Sequence, residues 1–360
     1  MTASTSPGAA PVTRSVLVIS GLAAVTVAGL VLAIAIGPVT VALDDTVAVL
    51  FGGTPHDPRS SVLIGTVRVP RALTAAVAGA ALGVAGLQLQ TLFRNPLADP
   101  FVLGISSGAS LGVALTVLSV GSAGAAGGLF TGGLGLAGQV GTVAAGAAGA
   151  GVVLGVVMLL SRWVRSAVTL LIIGVMIGSL VTALVSLLLT WADPQRVQQF
   201  IAWGLGSFAG TTWSDLVVLA PVAALGLLMA LASVKSLNAL LLGENYARSM
   251  GLTVRWARLT VLLSSSVLAG VITAFCGPVA FIGMAVPHLA RLLVGTSDHR
   301  VLLPATLLAG ASVALACTVA SHLPGTGGTV PLNVITSLIG APVVIIVLLR
   351  SRRLAAGAAL

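Results

Sequence analysis

Charge is what this sequence has least of. Lysine, arginine, aspartate and glutamate together supply 7% of its 360 residues, against roughly 25% in a soluble domain. So few charges cannot cover a water-soluble protein of this size, which points to lipid as the solvent. Aromatics are also scarce, at 4%. The two cysteines, Cys276 and Cys317, lie in or beside apolar runs without metal or redox spacing, and read as small buried apolar groups. No His/Cys/Asp/Glu cluster has metal-ligand spacing. No G-x-x-x-x-G-K-[ST] loop is present to cradle a nucleotide, and no nucleophile, base and orienting group stand together. The chain is therefore not expected to be an enzyme, to hydrolyse ATP through such a loop, or to bind a metal or cofactor of its own. The net charge of +9 does not point to nucleic acid, because the 17 basic residues mostly stand singly between apolar runs. That is the distribution of topology signals and of contacts to anionic lipid.

What is abundant is apolar and small. Hydrophobic residues reach 57%, the mean hydropathy is +1.14, and 44 glycines are spread through the apolar runs. Small residues let helix backbones approach closely inside a bilayer, so an all-α bundle is expected. Runs long enough to span occur at 15–37, 71–92, 101–120, 139–161, 166–191, 213–233, 256–275, 277–294, 302–322 and 331–350. Residues 1–14 read as a disordered tail, 15–353 as the membrane domain and 354–360 as a second tail. The run after Arg14 is too long for a cleaved leader. With ten spans both termini share one side. Arg14, Arg94, Arg162, Arg165, Lys235, Arg248, Arg255, Arg258, Arg291, Arg300, Arg350, Arg352 and Arg353 then fall on that side, and Arg59, Arg68, Arg71 and Arg196 on the other. The positive-inside rule makes the first side cytoplasmic. Residues 120–150 read as a Gly/Ala-rich loop plus a close-packed helix, and 192–212 as a short interfacial helix on the outer side, with Trp191, Trp203 and Trp213 fitting an interface belt.

Three stretches carry more than topology. In 68–112, Gln88, Gln90, Arg94, Asn95 and Asp99 follow an apolar helix, and Asn95-Pro96 and Asp99-Pro100 force the chain out of helical geometry. Such broken backbone survives at membrane depth only when buried in protein or lining water. In 237–252, "LNALLLGENYARSMGL" reads as an amphipathic helix, a glycine break and a second helix opening near Glu244, where the helix dipole favours a carboxylate. In 276–304, Pro278 can open a helix, Pro287 interrupts it, and His288 and Arg291 stand near its end, ahead of Asp298, His299 and Arg300. His288 reads as a hydrogen-bonded structural residue.

These stretches, in this order, resemble the FecCD/BtuC-type permease family of iron-siderophore, haem and cobalamin ABC importers. The likeness stands on "RVPR" (68–71), "RNPLADPFVLGISSGA" (94–109), "WGLGSF" (203–208), "LNALLLGENYARSMGL", "GPVAFIGMAVPHLAR" (277–291), "DHRVLLP" (298–304) and "VPLNVITSLIGAP" (330–342). The resemblance implies a type II ABC importer permease with about ten spans, in the bacterial inner membrane with both termini cytoplasmic. It implies a second permease subunit (identical or related), two cytoplasmic ATPase subunits that use ATP and Mg, and an extracytoplasmic binding protein that delivers ligand. It assigns ATPase coupling to Leu237, Asn238, Leu242, Gly243, Glu244, Ala247 and Gly251, and binding-protein docking to Arg68, Arg71 and the position of His322. Arg94, Asn95, Pro96, Asp99, Pro100, Gly277, Pro278, Pro287, His288 and Arg291 fall in its structural motifs, and spans 166–191 and 331–350 line its pathway. A ferric siderophore is the expected ligand, with haem and cobalamin open. An ion-driven secondary transporter is the rival of another class, and it usually needs ionisable residues within spans. A non-transporting membrane scaffold is the other. Three departures stand out: the family's Asp…Arg pair before the last span falls on Thr318 and His322, and a family glycine falls on Asn333.

Overall fold

The computed structural model describes residues 9–37, 39, 41–119, 136–164, 166–322 and 330–357. Its elements are helices: α1 (Ala9–Ala35), α2 (Leu43–Leu50), α3 (Pro58–Phe93), α4 (Ile105–Ser119), α5 (Leu136–Leu160), α6 (Ala167–Thr190), α7 (Pro194–Gly204), α8 (Trp213–Ala232), α9 (Val234–Leu241), α10 (Glu244–Ser249), α11 (Val254–Cys276), α12 (Ile282–Val294), α13 (His299–Ala320) and α14 (Leu332–Gly357). Seven are long and apolar enough to cross a membrane. The shorter apolar stretches Ile105–Val117, Ile282–Val294 and Leu332–Ile346 fall on the other three expected crossings.

Helix α3 is the central post. Its most apolar window is 83% buried, against 11% for α1. Glycine makes its crossings possible. A Cβ built on Gly79 would lie 2.1 Å from the Gly310 carbonyl oxygen on α13, and one on Gly86 only 1.8 Å from that of Gly283 on α12. The same device joins α4 to α5, where a Cβ on Gly112 would lie 1.9 Å from the Ala145 carbonyl. Backbone meets backbone at these points, and small residues are the means by which helices associate where lipid removes the hydrophobic drive. The helical part of the Gly/Ala series is thus a close-packed span; residues 120–135 lie outside the described residues.

Several boundaries differ from the expectation. α1 begins at Ala9 rather than residue 15, so residues 9–14 are helical. α14 continues to Gly357, past residue 353. α3 begins at Pro58, and its residues Leu63–Arg68 form a π-helical turn that carries the helix through "RVPR". Pro287 does not interrupt α12, which runs on to Val294. Proline removes one N–H and hence one bond to the carbonyl four residues earlier. That carbonyl belongs to Gly283, which abuts Gly86 on α3. Pro278 opens no helix: residues 277–281 are non-helical, with positive φ at Gly277 and Phe281, and α12 starts at Ile282.

Candidate functional site

One end of the bundle carries α9 and α10. Leu237, Leu240 and Ala247 are buried, while Leu242, Tyr246 and Met250 are exposed, so the pair sits on the bundle by one face and offers the other. Gly243 (φ 105°) and Gly251 (φ 84°) flank α10 in conformations that disfavour any side chain. Glu244, the chain's single glutamate, begins α10 as expected. Its Oε1 accepts from Arg258 Nη2 at 2.8 Å and its Oε2 from Arg248 Nη2 at 3.4 Å. Arg258 is buried and also donates from Nη1 to the Val164 carbonyl at 3.0 Å. Asn238 fastens α9 on its other side. Its Nδ2 donates to Asp298 Oδ1 at 2.6 Å and its Oδ1 accepts from the His299 N–H at 2.9 Å. His299 in turn bridges Asn238 Oδ1 through Nδ1 and Thr91 Oγ1 through Nε2. Asp298 caps α13 by accepting from the Arg300 N–H, which holds its carboxyl below the usual carboxylate range. An open cleft of about 1010 Å³ runs between α10, Arg94 and the start of α6.

Two broken stretches are held shut by side chains, the first beside the α10 end of the bundle. Arg94 ends α3 in the left-handed region (φ 48°). Asn95 Oδ1 accepts from the Leu97 N–H, and Asp99 Oδ1 from the Phe101 N–H at the start of a 3-10 turn, Pro100–Leu103. His288 Nε2 lies 2.9 Å from the Pro96 carbonyl and its Nδ1 3.4 Å from Arg291 Nη1, so the loop is locked to α12. The Asp99 Oδ2 atom is buried without a hydrogen-bond partner, and this burial pushes the carboxyl up to about 6. The second break, residues 277–281, is satisfied by Asn333. Its Oδ1 accepts from the Ala280 N–H at 3.0 Å, and its Nδ2 donates to the Pro278 carbonyl at 2.8 Å and the Gly204 carbonyl at 3.1 Å. The Ser207 N–H takes the Cys276 carbonyl. These partners meet the rule that irregular backbone at depth must be re-satisfied inside the protein.

The opposite end gathers Arg68, Arg71 and His322, the three positions that the resemblance groups together. Arg68 does not project. It is 4% exposed and donates to the Ile34, Ala35 and Val39 carbonyls, because the π turn aims it at the unpaired carbonyl end of α1. Arg71 donates to Ser321 Oγ at 3.2 Å and lines a chamber of about 190 Å³ with Thr318, Ser321 and the 205–209 loop. Thr318 donates into its own helix at the Ala314 carbonyl. His322 is buried, with neither ring nitrogen hydrogen-bonded. Burial and the nearby Arg71 hold it below its usual value, so it is neutral at pH 7. Among the described residues no carboxylate forms an ion pair with these three groups. Helix α7 forms within the 192–212 stretch where a short helix was expected: none of its side chains is buried, and Trp191 and Trp213 flank it exposed.

Helix α6 carries no ionisable residue, and α14 none before Arg350. Helix α6 exposes Val168, Ile172, Met176, Leu180, Leu184 and Leu187, and α14 exposes Leu338, Ile339, Ile345 and Ile346. Sequence reasoning missed Arg258, which counted only as a topology charge, and the bracing role of Asn333. A lone arginine inside the first turns of an apolar span was the available signal for the first. Nothing local marked the second.

Apolar crossings braced across two internal breaks, with a helix pair offered at one end and cationic groups gathered at the other, define a membrane transport subunit rather than an enzyme. The profile of the FecCD transport family matches residues 25–350. The chain belongs to that family, and is the multi-pass permease of a bacterial ABC importer. It is 37% identical over 296 residues to the hemin transport system permease protein HmuU of Yersinia pestis, covering 81% of this chain and 84% of that one. It is 34% identical over 302 residues to the vitamin B12 import system permease protein BtuC of Escherichia coli O9:H4, covering 82% and 86%. A solved structure described as an inward-facing conformation of a metal-chelate type ABC transporter superposes with a TM-score of 0.78 at 29% identity, covering 92% of this chain and 98% of that one. A permease of this kind works with a partner ATPase and a binding protein.

Proposed function

We propose that the chain imports a large metal chelate, a ferric siderophore, through a pathway formed where two permease subunits meet along α6 and α14. The observation that carries this reading is the character of those two helices: broad exposed apolar faces, with no ionisable residue in α6 and none in α14 before Arg350. A bare metal ion needs several oxygen, nitrogen or sulfur ligands, and no three His, Cys, Asp or Glu side chains come together among the described residues. A metal that crosses such walls travels inside its own ligand shell. The names of the relatives, hemin and vitamin B12 permeases, fit the same chemical class, and haem is the second reading.

In this scheme the Glu244 end faces the cytoplasm, in keeping with its excess of basic residues. Two ATPase subunits receive Leu242, Tyr246 and Met250 of the α9–α10 pair, and their ATP and Mg drive the cycle. The loaded binding protein meets the Arg71 end, where surface charge sets encounter rate and register more than affinity. A deletion strain supplied with labelled ferric siderophores, haem and cobalamin tests the reading. Loss of ferric-siderophore accumulation that returns with the intact gene is expected. Uptake should stop on ATP depletion and survive an uncoupler. Unimpaired siderophore uptake with loss of haem uptake moves the ligand to haem, and uptake abolished by the uncoupler alone overturns the ATP-driven class.

A further inference from the structure

We infer that Arg258 is the positioning residue that carries movement of α10 to the start of α6. The inference rests on the coupling role proposed for the α9–α10 pair and deepens it.

The two helices of the pair are fastened to different parts of the bundle. α9 is tied through Asn238 to Asp298 and His299 at the head of α13, and through His299 to Thr91 on α3. Those helices are the bundle's central frame. α10 is tied instead to α11, which also packs on α3, and beyond it to the head of α6. Glu244 binds Arg258 on α11, and the same guanidinium binds the Val164 carbonyl in the short connection between α5 and α6. Two residues further on, Ser166 caps α6 by accepting from the Thr169 N–H. The glycines at 243 and 251, both at positive φ, bound α10 on either side.

The chemistry of the link favours transmission over simple anchoring. Arg258 is 6% exposed, so its bonds are little screened by water. A guanidinium holds two acceptors in one rigid plane, whereas an ammonium is a point charge on a flexible stem. A push on α10 through Glu244 therefore reaches Val164 by two short bonds of one planar group. α6 presents an unbroken apolar face, so a shift at its start moves a pathway wall without breaking an ion pair inside the membrane.

The test uses the complete complex of permease, ATPase and binding protein in nanodiscs. Arg258→Lys keeps the charge and loses the planar fork. Glu244→Gln keeps the shape and loses the charge. Arg255→Lys, on an exposed neighbour, is the control. Expected is an increase of about tenfold in ATP hydrolysed per ferric chelate transported for each of the first two, within the usual range of coupling between sites. The double variant should be no worse than either single one, and the control unchanged. An unaltered ratio in an intact Arg258→Lys complex overturns the inference. A second measurement needs no variant of Arg258. Spin labels on Ser249→Cys and Val168→Cys, with both native cysteines buried, report the distance from α10 to α6. That distance should stay constant between nucleotide-free and ATP-bound states; a change of several ångströms refutes the rigid link even if no variant folds. Wild-type complex that hydrolyses ATP and moves none of the chelates would count against the proposed ligand, while the label distance still tests Arg258.

Discussion

Asn333 offers the sharpest test of how the bundle tolerates broken backbone. Its side chain makes three hydrogen bonds, to the Ala280 N–H and the Pro278 and Gly204 carbonyls. Asn333→Ala removes all three partners at once. A hydrogen bond contributes about 0.5–1.5 kcal/mol net, so the expected destabilisation is about 1.5–4.5 kcal/mol. The upper half applies where water cannot reach the freed groups, since an unsatisfied buried group costs about 1–3 kcal/mol. The site is tight: a Cβ on Gly277 would lie 2.4 Å from the Trp203 carbonyl oxygen, and one on Gly206 2.7 Å from the Pro278 carbonyl oxygen. Asn333→Asp sharpens the case. It keeps the acceptor for Ala280 but turns an oxygen toward two carbonyls, so it should be at least as destabilising as alanine at pH 7. Protonation restores a donor, so this variant should gain stability as pH falls. The assay is unfolding in mixed micelles with rising SDS fraction, followed by tryptophan fluorescence, to which Trp203 beside the break contributes. Asn333→Ala within about 0.5 kcal/mol of wild type, the scatter of surface substitutions, would refute the account of the break.

Other outcomes follow from the same packing. Gly79→Ala puts a methyl 2.1 Å from the Gly310 carbonyl oxygen, and overpacking costs about 1–3 kcal/mol. Gly155→Ala, with nothing within 4 Å, should be neutral or stabilise by up to about 1 kcal/mol; the same SDS titration compares the two. Burial pushes the Asp99 carboxyl up to about 6, above the ordinary aspartate value of about 3.9, so the folded state holds its proton more tightly. Ionisation then costs stability as pH rises through 6, up to about 3 kcal/mol at 1.36 kcal/mol per unit. Asp99→Asn should be more stable than wild type at pH 7.5 and no more stable near pH 4, read from unfolding midpoints across pH. His322 lies below its usual range, so binding-protein affinity should be flat from pH 7 to 8 and change only in more acid buffer. His322→Arg should remove that change, as read by surface-immobilised binding assays.

How much was legible in advance differs from element to element. The ten apolar runs could be read because membrane crossing depends on local length and composition, which one segment carries alone. The α9–α10 pair was legible for the same reason: apolar spacing, a glycine break and a carboxylate at a helix start are neighbours in sequence. Pro287 misled, because a proline removes one bond, to the Gly283 carbonyl, without having to end the helix, and α12 runs on to Val294. Arg68 read as a charge on an outer loop, and only the π turn in α3 decides that it faces the end of α1. Asn333 registered as a departure without a role, since its three partners come from two other segments. Arg258 was counted and not understood, since its partners Glu244 and Val164 stand 14 and 94 residues before it in the chain. The sequence by itself determined that lipid is the solvent, where the chain crosses it, and which short segments are polar enough to meet partners. Only the tertiary structure decided which polar groups satisfy one another, because a hydrogen bond is fixed by distance in space and carries no signature in spacing along the chain.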